Sequence, residues 1–184
     1  MEFQNKSNSL RFIFLKFESI IDGIDSMIKE NKNYIYCLLF SNLISILDSF
    51  IKIYTEPIVQ CDDILVERFC SEFGITKGTI EEEKQAVKDF YNKKTFQYIP
   101  SQKKLLERVF NINLDFDDRI ERYVAVRDVI VHRNAIDSDG YMHRIKKTQL
   151  FDALNVIKKH IRCIFNALSE YEIEKQANRI INRC

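Results

Sequence analysis

The stretch that decides the fold is YIYCLLFSNLISILDSFIKIY, residues 34–54, the most hydrophobic segment of the chain. Apolar side chains occupy most of the circumference of a helix built on this stretch, and such a helix needs other elements packed around it. We therefore predict a central helix over Asn33–Tyr54. Asp48 and Lys52 lie one helical turn apart and can form an ion pair. They belong to a narrow polar stripe that consists of Ser41, Ser45, Asp48 and Lys52.

The same stretch is long enough to span a bilayer, so its polar residues decide between a membrane helix and a core helix. Asn42, Asp48 and Lys52 lie inside it, together with three serines. Charged residues are costly within a span, and we therefore expect a buried core helix and no membrane association. The polar N-terminal residues MEFQNKSNSLRF do not resemble a signal peptide. Five cysteines without a C-x-x-C spacing are typical of reduced thiols, which favours a cytoplasmic protein.

Helical periodicity extends to both sides of the central helix. Thr55-Glu56-Pro57 should end that helix, because proline disfavours the helical conformation in the residue before it. No stretch alternates strongly enough to predict a strand. The expected fold class is all-α, an antiparallel bundle of about four main helices plus short ones. The remaining helices are predicted at Ser9–Glu30, Ile58–Gly74, Ser101–Phe110, Asp115–Asn134 and Thr148–Glu174.

A length of 184 residues suits a single domain. We predict one helical domain over residues 1–174 and a frayed C-terminal tail over 175–184. Residues 76–100 are the least periodic part, and we interpret them as an insertion with a short helix. The net charge of +1 is lower than that of a typical duplex-binding protein, whereas contact with single-stranded nucleic acid stays open.

A second stretch, RYVAVRDVIVHRNA over residues 122–135, carries the candidate chemistry. An arginine interrupts the apolar face of the predicted helix, which consists of Phe116, Ile120, Val124, Arg127 and Val131. A guanidinium does not lose its proton, and burying it without a partner is costly. Arg127 must therefore meet a carboxylate, open into a cleft or face another chain. Pairing with an internal acid would be the ordinary structural explanation.

His132 lies one turn beyond Asp128, so that its ring can donate a hydrogen bond to this carboxylate. The alternative is a histidine at a helix end that interacts only with the helix dipole. His132 follows Arg127 by five positions, which places the two side chains on flanking faces. One chain then presents an incomplete site, whereas two copies packed across a two-fold axis would bring both pairs into one cleft.

The stretch RDVIVHRNAIDSDG, residues 127–140, resembles the motif of the HEPN superfamily. That motif is an arginine, four to six residues and a histidine, commonly with a polar residue after the arginine. The match is specific over residues 120–139, and it extends loosely to 148–170 and to the apolar helix FSNLISILDSFI. Ala135 stands where a glycine is frequent. Asn134 stands where members silenced by nucleotidyl transfer carry a tyrosine, so the resemblance does not support that regulation.

The resemblance implies an all-α homodimer that acts as a metal-independent endoribonuclease without a cofactor. It further implies a toxin or antiphage defence effector, with an antitoxin or a second defence-system subunit as a partner. Histidine can move the proton of a ribose 2′-hydroxyl, and arginine can hold the scissile phosphate. Such an attack leaves a 2′,3′-cyclic phosphate. The candidate catalytic residues are Arg127, Asp128 and His132, and the candidate substrate-binding residues are Arg133 and Asn134.

Two other functions remain open. A module that keeps the motif can bind RNA, a nucleotide or a protein partner without cleavage, because a shared fold does not guarantee a shared activity. A plain helical interaction protein would instead hold Arg127 in a structural ion pair. Basic residues gathered around the motif would favour RNA, and dispersed ones would be ordinary solvated surface. The residues in question are the pairs Lys93-Lys94, Lys103-Lys104 and Lys146-Lys147.

Overall fold

The computed structural model describes residues 11–12, 14–22, 33–76, 78–133, 139 and 144–181, and every regular element within these ranges is a helix. The predicted all-α class is confirmed. A π-helical segment, Lys104–Val109, continues the fifth helix. In chain order the helices are α1 (residues 14–22), α2 (Asn33–Gln60), α3 (Asp63–Phe73), α4 (Ile80–Lys93), α5 (Ile99–Lys103), α6 (Arg119–His132) and α7 (Lys147–Ile181).

The central element is α2, as its apolar circumference predicted. Leu43, Ile44 and Leu47 are completely buried, and α3, α4, α6 and α7 all pack on this helix. By length and composition α2 could cross a membrane, yet 50% of its most apolar window is buried inside the chain. The predicted pair forms, with Lys52 Nζ 3.0 Å from Asp48 Oδ2. The other oxygen of this carboxylate accepts the backbone N–H of the residue at position 96, which ties α2 to the chain before α5.

Contrary to the prediction, α2 does not end before Pro57 but continues through it to Gln60. A proline in a helix interior costs about 3 kcal/mol or more. Ile58 and Val59 are buried directly after it, and burying two aliphatic side chains stabilises by roughly 3–6 kcal/mol. Tertiary packing therefore outweighs the local preference on which the prediction relied.

The next helix ends where it was predicted to end, at Gly74, but starts later than predicted. Gly74 adopts the left-handed conformation, with φ of 68°, and its N–H donates to the carbonyl of Cys70. The side chain of Asp62 accepts the backbone N–H of Ile64, which sets the start of α3. The break between α2 and α3 thus falls at an N-cap that the periodicity of Ile58–Gly74 did not reveal.

Residues 76–100 hold a regular fourteen-residue helix, α4, that contributes to the core. Thr79 and Glu82 form a capping box in which each side chain accepts the backbone N–H of the other residue. Val87 and Tyr91 are buried, and the Tyr91 hydroxyl pairs with Thr55 Oγ1 of α2 at 2.9 Å. These contacts pack α4 against α2 and α3.

The two helices around the motif have bounds that differ from the prediction. α6 starts at Arg119, because the Asp117 carboxylate accepts the backbone N–H of Arg119 at 3.0 Å and ends the preceding loop. α7 continues to Ile181, so most of the predicted frayed tail is helical. Residues 136–142, which follow shortly after His132, lie outside the described residues, apart from Asp139.

Candidate functional site

The predicted apolar face of α6 leaves the core as the helix proceeds toward its C-terminal end. Ile120 and Val124 are completely buried. The Arg127 side chain is 19% exposed, and Val131 is 45% exposed. His132 is exposed. The spacing of the face was therefore predicted correctly, and its second half, which carries the motif, lies at the surface of the chain.

Arg127 meets a carboxylate, that of the next residue. Arg127 Nη1 donates to Asp128 Oδ1 at 2.9 Å. Asp128 Oδ2 accepts a hydrogen bond from the Tyr98 hydroxyl at 2.7 Å. Tyr98 directly precedes α5, whose first turn contains Pro100. Tyr98, at the start of α5, thus positions the Asp128 carboxylate, and this carboxylate in turn positions the guanidinium of Arg127.

The surroundings of Asp128 keep this carboxylate ionised. Partial burial by itself would raise its pKa, but hydrogen bonds from Tyr98 and Arg127 and the nearby charge of His132 outweigh burial, so that the pKa of Asp128 is lowered. The hydrogen bond to Asp128 in turn raises the pKa of the Tyr98 phenol. The proton therefore stays on Tyr98 and the negative charge stays on Asp128, facing Arg127.

A buried donor of the Arg127 guanidinium, its Nε, lacks a hydrogen-bond partner among the described residues. A buried donor without an acceptor costs about 1–3 kcal/mol. Buried donors without a partner are rare in folded proteins.

The expected hydrogen bond between His132 and Asp128 does not form between these two described residues. Tyr98 and Arg127 bond the two carboxylate oxygens instead, while His132 acts on Asp128 through its charge. The position of His132 in the last turn of α6 also agrees with an interaction with the helix dipole.

The two candidate substrate-binding residues follow the end of α6. The backbone N–H of Arg133 donates to the carbonyl of Val129 at 3.1 Å, and its side chain is exposed. Asn134 lies outside the described residues. Of these two residues, the structure therefore describes Arg133, which directly follows His132 in the chain.

Sequence reasoning missed Tyr98. It lies thirty positions before Asp128, in the segment that no motif covered. It is 43% exposed and is one of eight tyrosines. No local pattern distinguishes it from the others, since only the tertiary fold brings the start of α5 within hydrogen-bond distance of Asp128.

Three lysines of these pairs lie over three different aromatic rings. The Lys103 ammonium lies 5.4 Å from the centre of the Phe116 ring, whereas the Lys104 ammonium lies 5.2 Å from that of Phe73. Lys147 lies over the ring of its neighbour at position 151. These separate contacts agree with the interpretation of the pairs as ordinary surface, and they do not support a basic patch at the motif.

The described residues enclose two clefts of note. The larger, about 610 Å³, lies between α3, the chain after the π-helical segment and α7, and no α6 residue lines it. The smaller, about 270 Å³, is lined by residues of α6 that precede Arg127, and it is here called the α6 cleft. Its lining includes Phe40, Arg122, Tyr123, Val126, Gln149 and Asp152. We place the candidate site on α6 because the groups able to bind a phosphate or move a proton are there.

Comparisons of the chain with models of protein families, with curated proteins and with solved structures find no match. The chemistry of α6 is therefore what bears on function. A surface histidine can exchange protons with a ligand, and a guanidinium beside a fixed carboxylate can bind a phosphate oxygen. Together these groups are suited to an anionic substrate that loses or gains a proton.

Proposed function

We propose that this protein is a metal-independent endoribonuclease of the HEPN type that cleaves RNA between two copies of the chain. The observation that carries the proposal is the surface end of α6, where His132 is exposed, Arg127 is partly exposed and Asp128 is held by Tyr98. We further propose a role as a toxin or antiphage effector in the cytoplasm, with an antitoxin or a second defence-system subunit as partner.

The site needs a second copy of the chain, because Arg127 and His132 lie on flanking faces of one helix. Val131, between them in sequence, exposes 45% of its surface, so an apolar side chain lies where the second copy would pack. A two-fold axis beside this end of α6 would place two arginines and two histidines around one cleft.

The reaction requires only these side chains and the RNA. The ribose 2′-oxygen attacks the adjacent phosphorus, its proton passes to the imidazole of His132, and the P–O5′ bond breaks. The histidine of the second copy, in its protonated form, donates a proton to the leaving 5′-oxygen. The products are a 2′,3′-cyclic phosphate and a 5′-hydroxyl. Arg127 stabilises the charge that develops on the phosphoryl oxygens, and Asp128 acts as a positioning residue for Arg127.

The test is cleavage of end-labelled single-stranded RNA in EDTA by the wild type, His132→Ala and Arg127→Ala. We expect the wild type to produce cyclic-phosphate ends, and each variant to cut at least about a hundredfold more slowly. Arg108→Ala removes an exposed arginine outside α6 and should cut like the wild type. Circular dichroism and sizing of each variant control for folding and dimerisation. Intact RNA with the wild type, or equal cleavage by the variants, would contradict the proposal.

A second candidate is a module that binds RNA, a nucleotide or a protein partner without cleavage. It is favoured by the pairing of Arg127 with Asp128 inside one chain and by the dispersed lysine pairs. In that case the wild type binds its ligand and leaves it chemically unchanged. The same assay separates the two candidates, because binding without cyclic-phosphate ends selects the second.

A further inference from the structure

The α6 cleft has an apolar floor of aromatic and aliphatic side chains. Phe40 and Ile145 are buried, and Val126 is partly buried against the core. The rings of Phe40 and Tyr123 meet edge to face, with centroids 5.8 Å apart. At about 270 Å³ the cleft lies near the lower end of the range for small-ligand sites. Its size and lining suit one planar aromatic ring, and they exclude a helix or a nucleic-acid duplex.

The two arginines that line the cleft, Arg119 and Arg122, differ in their charged partners among the described residues. Arg119 is held by two carboxylates, with Nη2 2.7 Å from Asp117 Oδ2 and Nη1 2.8 Å from Asp152 Oδ1. The Tyr123 hydroxyl also donates to Asp152, at 2.5 Å. Arg122 differs, because no ion pair or hydrogen bond of the described residues involves its exposed guanidinium. Among the described residues that line the cleft, Arg122 is therefore the cation without a neutralising partner.

The amide of Gln149 adds a hydrogen-bond donor to this lining. Its Oε1 accepts the backbone N–H of Lys146 at 2.9 Å and so helps to start α7. Its Nε2 group is left as a donor for a ligand. A ligand that matches the cleft is thus planar, rich in acceptors and anionic, and a nucleotide has all three properties.

The α6 cleft lies about one helical turn before Arg127 of the motif. Tyr123 lines the cleft and lies four residues before Arg127, on the same side of α6. Four residues of helix rise about 6 Å, which is comparable with the spacing of successive phosphates in an extended strand. A base inside the cleft would therefore belong to the nucleotide adjacent to the phosphate bound at Arg127.

We infer that the α6 cleft binds one unpaired nucleotide of single-stranded RNA, with its base against Phe40, Val126 and Ile145 and its phosphate at Arg122. A base within a duplex is paired and stacked and cannot enter. The register next to the scissile phosphate rests on the proposed function. Binding of the nucleotide itself does not depend on cleavage.

The test measures binding of a fluorescent single-stranded oligoribonucleotide to the full chain carrying His132→Ala, which prevents cleavage during the titration. Adding Arg122→Gln should weaken binding roughly tenfold or more. It should also reduce the slope of log K against log salt by about 0.7, the value for one phosphate contact on a single strand. Adding Arg108→Gln removes a matched exposed arginine outside the cleft and should change neither quantity.

A second variant tests the amide donor. Gln149→Glu keeps an oxygen that can accept the Lys146 N–H, so that α7 still starts normally, but it replaces the donor with a carboxylate that repels a nucleotide. We expect it to weaken binding of the oligoribonucleotide while the circular dichroism spectrum stays unchanged. Binding as tight as that of the parent would overturn the assignment of the base to this cleft.

The outcomes distinguish this inference from the proposed function. If the wild type cleaves RNA but Arg122→Gln binds and cuts like Arg108→Gln, the cleft inference is wrong and the proposed function stands. If the wild type does not cleave, yet the oligoribonucleotide binds and Arg122→Gln loses it, the inference stands and the proposed function fails. Equal binding of duplex and single-stranded RNA, or no binding of either, overturns the inference.

Discussion

At the scale of single residues, the site depends on a relay of two hydrogen bonds. The Tyr98 phenol holds Asp128, and Asp128 holds the guanidinium of Arg127. Only the last two residues are neighbours in sequence, which is why the motif predicted them and not Tyr98. The relay explains how an arginine can remain on an otherwise apolar face, since a fixed carboxylate offsets its charge.

Tyr98→Phe should loosen this relay without unfolding the chain, because 43% of Tyr98 is exposed. The Tyr98 hydrogen bond lowers the pKa of Asp128, so removing it should raise that pKa, which carboxyl-carbon NMR can measure across a pH titration. RNA cleavage should fall about tenfold, the worth of one hydrogen bond to a charged group. Tyr171→Phe, a phenol that lines the other cleft, is the control and should affect neither quantity. An unchanged Asp128 pKa would show that the relay does not operate in solution.

At the scale of elements, long-range contacts decide the ends and joints of helices. Pro57 stays inside α2 because the residues after it are buried. The joint between α7 and α5 is polar: His160 Nε2 lies 2.6 Å from Gln102 Oε1, with both side chains buried. The amide oxygen can only accept, so the histidine donates, and a neutral ring satisfies this joint.

The His160 joint should make stability depend on pH. Burial lowers the pKa of His160 to about 4, whereas an unfolded histidine titrates near 6.5. The unfolded chain therefore binds an extra proton between these values, and the folded state loses stability as pH falls from about 6.5 to 4. The loss between pH 7 and pH 4.5 should be about 2 kcal/mol, measured as the free energy of urea unfolding at the two pH values.

His160→Gln removes the titrating group and should flatten this pH dependence, although it also weakens the core at both pH values. Arg108→Gln is the control, because it changes an exposed side chain, leaves His160 in place and should keep the pH dependence of the wild type. A wild-type stability that is the same at both pH values would contradict the assignment of a neutral buried His160.

At the scale of the whole molecule, the surface end of α6 is where a second copy is expected. Val131→Glu should prevent the dimer, because it places a charge in an apolar contact, and should abolish RNA cleavage with it. The isolated chain should still fold, since Val131 is 45% exposed. Light scattering after size exclusion gives the mass, and circular dichroism gives the helix content.

The control for this change is Ile173→Glu on α7, which alters an exposed apolar residue away from α6. It should leave both the mass and the cleavage rate as in the wild type. A wild type that is monomeric at assay concentrations and still cleaves would rule out a site shared between two chains.

By itself the sequence determined the helical class, the central helix over residues 34–54 and the spacing of Ile120, Val124 and Arg127 on one face of α6. These features follow from periodicity along the chain, which is a local property. Only the tertiary structure decided that α2 passes through Pro57 and that Tyr98 anchors Asp128. Burial and hydrogen bonding between residues far apart in sequence decide such features, and no short stretch contains that information.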